Sequence, residues 1–216
     1  MSAELPDFDA VYRGDELAEG AQQVPWNIGV PQPAIAALLD RGVRSPVLDA
    51  GCGVGVTALE LAARGYEVVG LDSSESAIAQ AVADRDSRQV SATFEVADVT
   101  SFSGYDDHFA TIVDSTLFHS LPVDRRDAYL GSIARAAQDG AVLHMLVFDT
   151  GAFPAGGGPN TVSAEELRAA VEAHWTIDSI EPSSIAAFLP EEIGAHHPLD
   201  ESGRRRIPAH LLVAHR

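Results

Sequence analysis

Lysine is absent. All 14 basic residues are arginine, set against 32 acidic ones, and the formal net charge is −18. Such a balance repels a phosphate backbone and an anionic membrane surface alike, which argues against nucleic acid and membranes as partners. Without lysine the chain also lacks the Tyr-x-x-x-Lys pair of a dinucleotide oxidoreductase. Cysteine is nearly absent: a single thiol, Cys52, rules out an internal disulfide framework. No apolar run reaches the ~20 residues needed to cross a bilayer, and there is no internal repeat. The opening stretch MSAELPDFDAVYRGDE lacks the basic and apolar regions of a signal peptide. The expectation is a cytoplasmic protein. What the composition does provide, 216 residues at 46% hydrophobic, suffices for one domain with a full core.

The most informative stretch is VLDAGCGVG, Val47 to Gly55: an apolar strand that ends in glycines at alternate positions. Glycine permits φ > 0 and close approach of the backbone to a ligand. A helical pattern, VTALELAARG, follows directly, so the loop lies between a buried strand and a helix N-terminus. Such loops bind ligands beyond the carboxyl ends of strands in open α/β sheets. A dinucleotide fingerprint places a third glycine where Val56 stands, so the fit is poor. Asp49 would repel a pyrophosphate, but it can accept a hydrogen bond from a cationic amino group. A second strand, YEVVGLDSS, ends in Asp72, an acid placed to grip ribose hydroxyls. A weaker third signal, FEVADV, puts Asp98 after a short strand, where it can accept from an exocyclic amine such as adenine's. Amino acid, ribose and base each have a candidate partner.

The segments LDAGCGVG, VVGLDSS, VADV and IVDSTLFHSLP resemble, in order and spacing, the motifs of class I S-adenosylmethionine-dependent methyltransferases, over residues 42–215. Two longer stretches, PWNIGVPQP and ATIVDSTLFHSLPVDRRDAYLGSIARAA, are similar to actinobacterial heterocyclic toxin or hydroxyquinolone methyltransferases. The resemblance implies S-adenosylmethionine as cofactor and a seven-stranded, mostly parallel sheet in the order 3-2-1-4-5-7-6, with an antiparallel last strand and helices on both faces. It further implies a small aromatic heterocycle as methyl acceptor, on oxygen or nitrogen, with a detoxifying role; the sequence itself leaves monomer and homodimer both open. The cofactor-binding set it implies is Trp26, Asp49, Gly51, Cys52, Gly53, Asp72, Ser73, Ala97, Asp98, Val99, Asp114 and Ser115. Two other readings are a noncatalytic S-adenosylmethionine-binding protein and, third, a dinucleotide oxidoreductase.

The alternation of elements supports an α/β sheet: strands over 46–50, 66–71, 92–96, 109–114 and 141–148, helices over 55–64, 75–85 and 123–137. A capped helix beginning at Ser163 and two final strands complete the chain. Residues 1–30 are read as an N-terminal lid segment and 31–216 as a single domain. Trp26, with Tyr12 as a weaker partner, is expected to cover the cofactor's methionine end, where an aromatic face favours a sulfonium. Asp114 and His119 are the candidate catalytic residues. His119 is read either as the base that takes a proton from a phenol or N-hydroxyl, or as a hydrogen-bonded histidine closing the turn. No metal is expected, because adjacent His196 and His197 show no ligand spacing. Cys52 has no activating neighbour in sequence.

Overall fold

The structure, a computed structural model, describes residues 7–15, 24–154 and 159–216. Seven strands form one sheet in the order β3-β2-β1-β4-β5-β7-β6. They are β1 (Val47–Ala50), β2 (Val68–Asp72), β3 (Thr93–Val96), β4 (Phe109–Ser115), β5 (Ala137–Phe148), β6 (Thr176–Ala187) and β7 (Arg205–His215). The β1–β2, β1–β4, β2–β3 and β4–β5 pairs are parallel, and β7 runs antiparallel between β5 and β6. Order and directions match the expected architecture. Pro182 lies in β6, which pairs only with β7; an edge strand tolerates a residue without an N–H.

Two apolar clusters sandwich the sheet. One gathers Ile35 and Leu39 of α2 (Pro33–Asp40), Ala58 and Leu61 of α3 (Val56–Ala63), and Ile78 and Ala81 of α4 (Glu75–Arg88). The other gathers Tyr129, Leu130 and Ile133 of α5 (Arg126–Ala136) with Leu167 and Val171 of α6 (Ala164–Val171). Because strand side chains alternate between faces, Val47 and Val113 join the first cluster while Leu48 and Ile112 join the second. The same phase sends Asp49 toward α3 and Asp114 toward α5.

Two boundaries depart from the sequence reading. The helix expected over 123–137 opens with a 3₁₀ turn, Val123–Arg125, and α5 passes at Ala136 directly into β5, four residues earlier than the strand expected from 141. Gly140, at φ 68°, sits beside an irregular β4–β5 register between Phe109 and Thr111, so the glycine marks a bulge within the strand and not its start. The short helix α1 (Phe8–Arg13) was not signalled by periodicity. Asp7 caps it, and Asp9 docks it onto α4 by accepting from Ser74 Oγ (2.8 Å) and Ser76 N–H (2.9 Å). Much of the expected lid, residues 1–6 and 16–23, lies outside the described residues.

Candidate active site

The carboxyl ends of β1, β2 and β4 meet at two adjoining cavities, of about 350 and about 80 Å3. The smaller lies over the glycine loop, lined by Asp49, Cys52, Gly53, Thr57 and Ser115. Helix α3 begins here, yet its cap residue, Gly55, has no side chain to accept from the first-turn amides. Asp49 takes that role from the neighbouring strand, accepting from Ala58 N–H (3.0 Å). Burial raises its carboxyl to about 7, partly opposed by that N–H. A cation placed in the cavity would reverse the shift.

Asp72 lines the larger cavity with Ser73. Its carboxylate accepts from Gly53 N–H (2.8 Å) and Ser74 N–H (2.9 Å), which fix its orientation while further lone pairs remain. Burial raises its pKa, and the amides of Ser74, Gly53 and Ser73 pull it back. The glycines serve this loop concretely. A Cβ on Gly51 would meet the side chain of Leu117, and one on Gly53 would meet the Tyr12 hydroxyl. Gly51 and Gly53 also carry positive φ, 67° and 52°.

An aromatic cover sits over the loop. Trp26 Nε1–H donates to the Tyr12 hydroxyl (3.3 Å), and the Phe8 ring meets Trp26 edge-on at 6.1 Å. The PWNIGVPQP stretch anchors this cover to the edge strand β6. Phe188 N–H donates to the Pro25 carbonyl (2.9 Å), and the buried Gln32 amide both donates to the Ala186 carbonyl (3.0 Å) and accepts from its N–H (2.8 Å). Tyr12 and Trp26 therefore line both cavities.

The far wall of the larger cavity is apolar, with Leu117 and Phe148, and carries His119, Thr116, Ser120 and Asn160 as polar groups. His119 is 2% exposed. Its Nδ1 accepts from Phe148 N–H (3.3 Å), and its ring lies 4.4 Å from that of Phe148. Burial, with the Arg126 charge adding to it, lowers its pKa to about 3. A histidine whose Nδ1 accepts from the backbone carries its proton on Nε2, so the free edge is a donor. That geometry opposes proton uptake and so disfavours the base; His119 is a hydrogen-bonded histidine that also lines the larger cavity.

Several expected residues are not brought to the cavities. Asp114 is fully buried on the opposite side of the turn, where its carboxylate accepts from Leu117 N–H (2.8 Å), Phe118 N–H (3.3 Å) and Tyr129 O–H (2.8 Å). Its phase along β4, shared with Ile112, points it at α5; the reading of Asp114 as catalytic or cofactor-contacting is corrected accordingly. Ala97, Asp98 and Val99 line neither cavity. Val99 is in the core, and Asp98 binds outward, pairing with Arg125 (2.7 Å) and accepting from Thr100. Burial holds the Cys52 thiol well above its ordinary pKa, so it is no nucleophile. His196 and His197 stack on one another at a separate surface cavity beside Arg206. Sequence reasoning missed Phe8, Thr116, Leu117, Ser120 and Asn160 as cavity residues. Gln32 had a signal, its place in PWNIGVPQP; Thr116 had none, because its role lies in a backbone angle.

Residues 47–140 match the family model described as a methyltransferase domain. The chain is 49% identical over 193 residues to the 2-heptyl-1-hydroxyquinolin-4(1H)-one methyltransferase of Mycobacteroides abscessus, covering 87% of this chain and 84% of that protein. A solved structure concerned with conversion of a disulfide bond into a thioacetal group during echinomycin biosynthesis superposes with a TM-score of 0.84 at 36% identity, covering 97% of this chain and 90% of the other. Magnesium protoporphyrin IX methyltransferase from Synechocystis PCC 6803, with S-adenosylmethionine bound, shares the fold at a TM-score of 0.61 and 18% identity, over 85% and 76% of the two chains. Sheet order, glycine loop and these likenesses agree: the chain belongs to the class I S-adenosylmethionine-dependent methyltransferases.

Proposed function

We propose that this protein methylates a hydroxyl oxygen on a small aromatic heterocycle of the hydroxyquinolone class, masking a reactive group. The observation that carries the reading is the pair of joined cavities: one polar and lined by Asp49, the other mostly apolar with a few convergent polar groups. The relative in M. abscessus supports the acceptor class.

The residues present fit the cofactor. Asp72 would hold ribose hydroxyls with its remaining lone pairs, and Asp49 would face the ammonium group from the small cavity. Both are poised to gain from it, since burial holds each carboxyl above its ordinary pKa. S-adenosylmethionine supplies an electrophilic methyl group on a positively charged sulfur. The chain's own contribution is placement and exclusion of water. Phe8, Trp26, Leu117 and Phe148 give the larger cavity its apolar lining. His119 donates from Nε2 to the acceptor's oxygen and favours its ionised form, because a neutral imidazole with Nδ1 already occupied cannot accept that proton. The acceptor therefore enters as an oxyanion or loses its proton to water.

The test is incubation with S-adenosylmethionine and a panel of 1-hydroxyquinolin-4-ones, 4-hydroxyquinolines and ring-nitrogen heterocycles lacking a hydroxyl, with the product's methyl located by NMR. An O-methyl product from hydroxylated members alone is expected. A methyl on ring nitrogen or carbon, or no product from any member, would overturn it.

A further inference from the structure

Among the described residues, four line both cavities: Tyr12, Trp26, Gly51 and Thr116. They mark the junction of the two cavities, between the Asp49 side and the Asp72 side. Two are lid aromatics and one is a glycine, so among the described residues Thr116 alone brings an aliphatic hydroxyl there. Thr116 also holds a backbone angle that threonine rarely adopts, φ 82°. For a β-branched residue this left-handed conformation is strained, and it persists only where the surroundings over-determine it.

The surroundings do so here. Thr116 N–H donates to the Leu146 carbonyl (3.0 Å), continuing the β4–β5 ladder, while its carbonyl accepts from Ser120 Oγ (3.1 Å). The next two amides, Leu117 and Phe118, are clamped by Asp114, itself held by Tyr129. The buried acid beside the site thus has a use: it fixes a turn that no local preference favours. The Thr116 hydroxyl makes no hydrogen bond among the described residues, although every main-chain polar group of the residue is engaged. A glycine or asparagine would fill this angle at lower cost.

We propose that Thr116 is a positioning residue for methyl transfer, its hydroxyl hydrogen-bonding the acceptor's nucleophilic oxygen at the junction, opposite the donor edge of His119. This rests on the methyl-transfer reading and adds to it the residue that aims the acceptor. The clamped turn fixes the main chain that carries this hydroxyl at the junction of the two cavities.

Thr116→Val, Thr116→Ser and Thr116→Gly separate the hydroxyl from the strain. Each is measured for thermal midpoint, for calorimetric affinity toward S-adenosylhomocysteine, for affinity toward 1-hydroxyquinolin-4-one in its presence, and for kcat and KM. Thr116→Val keeps shape and angle but lacks the hydroxyl; kcat/KM and affinity for the hydroxyquinolone should fall by roughly tenfold to a hundredfold while cofactor affinity holds. Thr116→Ser should recover to within about threefold, since it restores the same hydrogen bond. Thr116→Gly should melt at or above the parent temperature, because its backbone is unstrained, yet lose turnover like Thr116→Val. A structural role alone predicts loss of turnover in step with loss of stability, and that pattern would overturn the proposal. So would full turnover by Thr116→Val. A parent chain that binds S-adenosylhomocysteine but neither binds nor methylates the hydroxyquinolone overturns the functional reading as well, which separates the two failures.

Discussion

If His119 is a neutral donor, the pH dependence of the reaction belongs to the acceptor and not to the enzyme. Burial takes this imidazole from about 6.5 to about 3. Removing a proton from a phenol of pKa ~10 with such a base is uphill by about seven pK units, on the order of 9 kcal/mol. General-base assistance typically contributes roughly 10²- to 10⁴-fold, about 3 to 5 kcal/mol, so it cannot offset that cost. The assay is kcat/KM against pH for two acceptors of different acidity, an N-hydroxyquinolone and a phenol of similar shape, with the parent and with His119→Gln. The limb should rise at each acceptor's own pKa. His119→Gln, which can accept from Phe148 N–H and still present a donor, should lower both curves by less than about tenfold and move neither midpoint. A single limb near pH 6.5 shared by both acceptors and abolished by His119→Gln would make His119 the base after all.

The same histidine affects stability. Its folded pKa lies below its unfolded one, so its contribution is complete above about 6.5 and declines by about 1.4 kcal/mol per unit as pH falls toward about 3; His119→Gln should flatten the chemical-denaturation profile there, although half-buried His144, lowered to about 4, keeps part of the slope. Gly53→Ala should push Tyr12 off the loop and strain a residue at φ 52°, weakening S-adenosylhomocysteine binding by about tenfold; unchanged affinity in calorimetry would show that the loop has room. Asp9→Ala should release α1 from Ser74 and Ser76, seen as faster hydrogen exchange of the α1 amides. In the parent, the Ser76 N–H and Ser74 hydroxyl hold the Asp9 carboxyl below its ordinary 3.8, so α1 should stay docked above that pH and loosen only as pH falls through the lower folded value; exchange at the same rate in both proteins would contradict this.

The fold was largely legible because its signals are local and periodic. Apolar runs ending in Asp49 and Asp72, separated by helical spacing, specify parallel strands and the loop between them. The order of the strands came by resemblance, and no periodicity contains it. Within the candidate site, the placing of Gly51, Gly53 and Asp72 at the carboxyl ends of β1 and β2 was readable, because a tight loop after a buried strand demands glycine and Asp72 ends the next apolar run. Asp114 was misread because a strand's terminal acid looks the same whether it faces the cleft or the helix behind it; the period-2 phase with buried Ile112 held the answer. Asp98 faces Arg125, 27 positions away, a pairing that no spacing rule anticipates. Thr116 and the docking of α1 through Asp9 depend on tertiary constraint, which overrides local preference.

The proposed cofactor site runs along the glycine loop, with the ribose on Asp72. Calorimetric titration of S-adenosylhomocysteine into the parent and into Asp72→Ala tests it most directly. The variant loses a charged acceptor for the ribose hydroxyls, and hydrogen bonds to charged groups contribute roughly 1.5 to 3 kcal/mol, so Kd should rise by about tenfold to a hundredfold with the fold intact. Equal affinity in the two proteins would remove Asp72 from the site, and with it this placement of the cofactor.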